Sequence, residues 1–248
     1  NQFAGVAVAL VADFRETETS DHLFRVRWYA QTAAEQLACA SPYSERIDEE
    51  FLESFYRATP LHDIGKVSID PQILRKNCPL STAELKAVQQ HARVGAELLS
   101  LAAQRDPDSP HLAMAAAIAR SHHERYDGSG YPDGLRGDEI PLAARIFAVA
   151  DVFDALISES SYKPAMSVES ALSIIADKSG AWFDPVVVDG FLARAQDLTD
   201  AQASLSVAEE RSGPDRPDPA LIGSRYERPI VHLDSDHSEY SSWFASIV

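Results

Sequence analysis

The sequence predicts an all-α fold, and three observations carry that prediction. Apolar residues recur at helical spacing along most of the chain, as at Leu85, Val88, Ala92, Leu98 and Leu99. Strand-like alternation is scarce. Glycine and proline gather in one segment, Arg125 to Pro141, with Gly128, Gly130, Pro132, Gly134, Gly137 and Pro141, and that segment must be a loop.

Taken in order, Phe3–Leu37 reads as one long helix or a broken pair. Glu49–Arg57 is a second helix, running into Leu61, His62 and Asp63. Ser81 and Thr82 supply an N-cap for a helix over Ala83–Ala102. Leu112–Glu124 follows, entered near Pro110, because proline suits the first helical turn. Beyond the glycine loop, Leu142–Ser158, Val168–Lys178 and Pro185–Ala195 are helical. The composition then shifts. From Asp200 to Val248 there is no lysine, and Pro214, Pro217, Pro219 and Pro229 crowd together. Ala201–Arg211 reads as a last short helix, and the rest as a poorly structured acidic tail with apolar patches at Ile230–Leu233 and Trp243–Val248. The expected division is a domain over 1–198, its motif-bearing core at 16–192, and an acidic extension over 199–248.

The charge balance narrows the function. Lys and Arg number 22 against 38 Asp and Glu among 248 residues, a formal charge of 22 − 38 = −16. With 45% hydrophobic and 24% charged residues the composition is that of a soluble globular protein. A pI near 4.8 argues against a bulk nucleic-acid or anionic-membrane binder, since like charges repel. A small anionic substrate at a local positive site stays open. Cys39 and Cys78 are too few for a disulfide framework or a thiolate metal site, which points to a reducing, cytoplasmic compartment. The longest apolar stretch, Phe3–Val11, falls short of the roughly 20 residues of a membrane span. No basic residue precedes it, so it does not read as a secretory signal. The chain begins with Asn, which suggests a fragment or processed form with an N-terminal partner domain outside it.

The chemistry lies in histidine. Five of the eight histidines, His22, His62, His91, His122 and His123, look like one metal centre, accompanied by Glu18, Asp63 and Asp151. Glu18 and His22 stand at i, i+4 and share a helix face. Adjacent helical residues diverge by about 100°. The pairs His62/Asp63 and His122/His123 therefore suit a centre with more than one metal, neighbours serving different ions, and Asp63 can bridge two ions through its two oxygens. Imidazole and carboxylate without thiolate favour Fe, Mn or Zn. Each piece alone has a plain alternative: a structural His91, a chance pair, a solvated Glu18–His22 face.

The combination resembles a known family. Leu61-His62-Asp63-Ile64-Gly65-Lys66 is similar to the HDxGK core of HD phosphohydrolases. His122-His123-Glu124-Arg125-Tyr126-Asp127-Gly128-Ser129-Gly130-Tyr131-Pro132 resembles the HHExxDGxGYP motif of the HD-GYP subfamily. Glu18-Thr19, His22 and Arg25-Val26 resemble its opening segment, and Gly180 to Pro185 its closing one. The resemblance implies an HD-superfamily helical bundle with a Gly-rich GYP loop. It implies metal-dependent hydrolysis of cyclic di-GMP to pGpG, and on to GMP, by attack of metal-activated hydroxide on phosphorus. It implies two or three divalent ions, iron or manganese, held by Glu18, His22, His62, Asp63, His91, His122, His123 and Asp151, with Glu18 favouring three. Asp63 and Lys66 are the implied catalytic residues. Lys66, Lys163, Tyr131, Gly130 and Pro132 are the implied substrate contacts, while Arg145 and Asp154 read as internal salt-bridge or orienting residues. Implied partners are a GGDEF-domain protein through the GYP loop, an N-terminal regulatory domain and a second copy in a homodimer.

The departures are informative too. Ser160 stands where the family usually has an arginine able to grip phosphate bidentately. Lys76-Asn77-Cys78-Pro79 replaces a KPG pattern, and the stretch from His22 to His62, with Pro42 and Tyr43, is long. Two other readings stand beside the leading one. They are a cyclic dinucleotide sensor or partner-binding module with little turnover, and a phosphodiesterase for cyclic GMP-AMP. A generic HD nucleotide phosphohydrolase would leave the GYP loop unexplained.

Overall fold

The computed structural model describes residues 20–76, 78–158 and 165–201. Among these residues all regular structure is helical, with one isolated bridge between Ser179 and Phe183. The helices are α1 (Ser20–Ala40), α2 (Glu49–Ala58), α3 (Pro71–Leu74), α4 (Thr82–Arg105), α5 (Pro110–Ser121), α6 (Leu142–Ile157), α7 (Val168–Asp177) and α8 (Pro185–Leu192). Short 3-10 turns occupy Ser44–Arg46, Thr59–Leu61, Ile64–Ser68 and Gly137–Glu139. No described helix is long and apolar enough to cross a membrane.

Local chemistry sets the boundaries. The Asp48 side chain accepts the Phe51 N–H at the start of α2. Ser81 and Glu84 form a reciprocal capping box on α4, satisfying two of the unpaired donors of its first turn. Lys76 Nζ grips both Glu84 oxygens at 2.8 Å and ties the preceding turn to that cap.

The core is built around α6. Every residue from Leu142 to Ile157 is buried except Asp151 and Ala155. A helix apolar on nearly every side belongs at the centre of a bundle. Tyr29 of α1 meets Phe153 edge-on at 5.1 Å, and Phe153 meets Phe191 of α8 at 5.2 Å. On the other side α4 and α5 pack on one another, and α5 packs on α6.

Arg145, 3% exposed, fastens three connections at once. Its Nη1 donates to Asp184 at 2.6 Å, to Asp138 at 2.7 Å and to the Tyr43 hydroxyl at 2.9 Å. The Tyr43 hydroxyl in turn donates to Asp184 at 2.7 Å. Burial and the Asp184 carboxylate push that hydroxyl's pKa up to about 12. Arg145 is thus the internal salt-bridge residue that the sequence suggested.

Four expectations need correction or limits. α5 ends at Ser121 rather than Glu124, so His122 and His123 lie beyond the helix. The second helix does not run on as one helix into His62 and Asp63, because α2 stops at Ala58. Asp63 breaks the path at φ −100°, ψ 11° between two 3-10 turns. Of the predicted first helix, the part before residue 20 lies outside the described residues, as does the expected acidic tail beyond residue 201.

Candidate metal centre

Five elements converge on one buried spot. α1 contributes His22, the segment between the two 3-10 turns His62 and Asp63, α4 His91, the end of α5 His122 and His123, and α6 Asp151. The donor atoms fall into two groups, each within 4.8 Å: Asp63, His91, His122 and His123 in one, His22, His62 and Asp151 in the other. Phe147 of α6 lies beneath them, 4.6 Å from the His62 ring and 6.0 Å from the His122 ring.

Asp63 stands at the seam. Its Oδ1 is 3.2 Å from His91 Nε2 and 3.6 Å from His122 Nε2. Its Oδ2 is 3.1 Å from His62 Nε2 and 2.9 Å from Lys66 Nζ. Burial alone would raise its pKa, but the Lys66 ammonium outweighs it and holds the carboxyl well below the usual range. It is an anion with one oxygen toward each group. His62 and Asp63 therefore serve different groups, as expected of neighbours. His122 and His123 do not: both join Asp63 and His91, their rings 3.9 Å apart. The reason is the early end of α5, which frees the pair from helical divergence.

The rings are held in one tautomer from behind. His62 Nδ1 donates to the Thr59 carbonyl at 3.0 Å, His91 Nδ1 to Val88 at 2.7 Å and His122 Nδ1 to Ile118 at 3.0 Å. With the proton on Nδ1, each Nε2 presents a lone pair inward. Those three Nε2 atoms and Asp63 Oδ1 are buried without a hydrogen-bond partner. Lone pairs facing a carboxylate in a dry interior are costly unless a cation lies among them. This is the outer-shell pattern of metal-ligating histidine, and the imidazole–carboxylate set fits a divalent first-row metal. Burial also lowers the pKa of His122, and that of His123 far below its usual value, keeping both neutral as ligation requires.

Gly65 lets the turn behind Asp63 approach α4. A Cβ there would sit 2.0 Å from the His91 carbonyl oxygen and 2.6 Å from the Gly95 nitrogen. At Gly130 a Cβ would sit 2.3 Å from Arg125 N and 2.5 Å from His123 O, because the glycine loop doubles back on the chain leaving the histidines. Tyr131 then stacks on His123 at 4.7 Å and 23°. One face of Tyr131 is thus spent on a metal-centre histidine rather than projecting clear for a nucleotide. The Pro132 carbonyl accepts from Arg93 at 3.1 Å, and Arg120 holds Asp133 bidentately at 2.7 and 2.9 Å.

Glu124 was singled out by sequence only as a motif letter, yet it is the clasp of this loop. Its buried carboxylate accepts the N–H groups of Asp133, Gly134 and Leu135 at 2.7, 3.1 and 3.0 Å. Glu124→Gln leaves one oxygen for three donors and turns an NH2 toward them. We expect a loss of about 2 kcal/mol in unfolding free energy and faster amide exchange at residues 133–135; unchanged exchange would refute the clasp. The paired spacing of Asp151 and Asp154 opposite His22 and Arg25 was another available signal. Glu18, Ser160 and Lys163 lie outside the described residues.

A buried helical centre of histidines, with Asp63 set between its two groups of donors, defines a domain of the HD type. The HD-domain family matches the chain over residues 15–187. A cyclic di-GMP phosphodiesterase of Vibrio cholerae is 43% identical over 188 residues, covering 76% of this chain and 38% of that protein. A 3'3'-cGAMP-specific phosphodiesterase 2 from the same organism is 35% identical over 198 residues, covering 80% and 35%. Among solved structures, a cyclic GMP-AMP specific phosphodiesterase of V. cholerae shares the fold with a TM-score of 0.57 at 21% identity, covering 99% of this chain and 57% of that one. The chain belongs to the HD-GYP family. It spans less than half the length of either V. cholerae relative matched by sequence.

Proposed function

We propose that this chain carries a metal-dependent phosphodiesterase domain that hydrolyses cyclic di-GMP to pGpG and on to GMP. The observation that carries the reading is Asp63, with one oxygen toward each of two groups of inward-facing donors and Lys66 beside it. The name of the V. cholerae relative supports the substrate. Iron or manganese would be held by His22, His62 and Asp151 on one side and by His91, His122 and His123 on the other, with Asp63 between and Glu18 as the added ligand for a third ion. Such ions supply Lewis-acid stabilisation of phosphoryl oxygens and lower the pKa of bound water.

The chain's own residues do the rest. The backbone carbonyls behind His62, His91 and His122 fix the rings, so no reorientation is needed during reaction. Lys66, held beside Asp63, offers a positive charge to a non-bridging phosphate oxygen. Tyr131, seated on His123, forms one wall for the substrate, with Gly130 and Pro132 shaping the loop. Lys163 is a second phosphate contact. Ser160, in place of an arginine, weakens the grip on the second phosphate and slows the pGpG step. We take 1–198 as the catalytic domain, cytoplasmic and governed by a regulatory domain.

The test is a product assay on anaerobically purified protein loaded with Fe(II) or Mn(II). The expected result is conversion of cyclic di-GMP with pGpG accumulating before GMP. Binding without conversion would replace this reading by a sensor or GGDEF-binding role. The cGAMP-specific relative supports a second reading, and preferential cleavage of cyclic GMP-AMP would establish it.

A further inference from the structure

The histidines of the centre are not supported alike. His62, His91 and His122 lean on backbone carbonyls, whereas His22 Nδ1 donates to the Asp154 carboxylate at 2.7 Å. Asp154 is fully buried and held from its other side by Arg25, whose Nε donates to Oδ1 at 2.6 Å and whose Nη2 donates to Oδ2 at 3.0 Å. His22 and Arg25 lie one turn apart on α1, and Asp151 and Asp154 one turn apart on α6, so the two helices present matched faces. The His22 Nε2 lies 3.9 Å from Asp151 Oδ1, inside the group that also includes His62.

The physical difference is charge. A carboxylate draws the Nδ1 proton more strongly than a carbonyl does and makes the opposite nitrogen a better donor. The Arg25 fork fixes the carboxylate plane and so the ring. We infer that Asp154 is a positioning residue for His22 and sets the metal affinity of the His22/His62/Asp151 half of the centre separately from the other half. The inference rests on the metal-centre reading above.

The experiment is a Mn(II) titration of the whole chain, followed by metal stoichiometry and electron paramagnetic resonance. Wild-type protein should bind at least two ions, with a spin-coupled signal. Asp154→Asn, close in size but uncharged, should weaken one site by about 10–100-fold and leave the other unchanged. At Mn(II) levels that fill only the intact site, an uncoupled six-line signal should result. Arg25→Lys keeps the charge but loses the fork and should weaken the same site less, which covers the case where Asp154→Asn fails to fold. Two sites of wild-type affinity in either folded variant would overturn the inference. So would equal weakening of both sites, the mark of a general loss of structure. A wild-type chain that binds no Mn(II) would overturn the metal-centre reading itself.

Discussion

Asp63→Ala should strip the centre of metal and lower phosphodiester hydrolysis by more than about 100-fold, because even outer-shell changes at metal sites cost 10–100-fold. Asp63 lies within 3.6 Å of His62, His91 and His122 together. It is also the anion of the seam, held ionised against burial by Lys66. Without it, three inward lone pairs lose their shared counterpart, and Lys66 loses its 2.9 Å partner. Metal content by elemental analysis and product formation should fall together. An alanine variant that keeps its metal and its turnover would remove Asp63 from the mechanism proposed here.

Gly65→Ala should do comparable damage by a different route. The three atoms nearest the added carbon are all backbone: His91 O at 2.0 Å, Gly95 N at 2.6 Å and His91 C at 2.8 Å. Side chains can rotate out of such a contact, but two packed segments of main chain cannot. The turn would have to retreat from α4, carrying Asp63, two residues before Gly65, away from His91. Overpacking of this kind costs roughly 3 kcal/mol or more, and the denaturation midpoint should fall with metal content. Gly95→Ala is the comparison: its Cβ would meet Gly65 N at 3.2 Å and the Ala119 methyl at 3.4 Å, a far looser fit. Equal stability losses at the two positions would contradict the close-approach account.

Helical periodicity made most of the helices legible, and motif spacing picked out the seven residues, His22, His62, Asp63, His91, His122, His123 and Asp151, that the described fold brings together. Ser81 announced α4, and the glycine loop could be nothing else. The end of α5 was less visible, because Ser121, His122 and His123 carry no glycine or proline to mark the stop. Glu124 reads as one more charged residue until Asp133, Gly134 and Leu135 are folded over it. The Tyr131 ring could be drawn toward a nucleotide from its motif, but its seat on His123 depends on how the loop doubles back at Gly130.

The supports behind the rings also bear on how this molecule tolerates change over generations. The carbonyls behind His62, His91 and His122 lie three or four residues back along the same chain segment, so those rings keep their aim while distant sequence drifts. The support of His22 lies 132 residues away on another helix. Substitutions that shift α6 against α1 are therefore felt first at that one ring, and divergence among descendants of this chain should begin in that half of the centre.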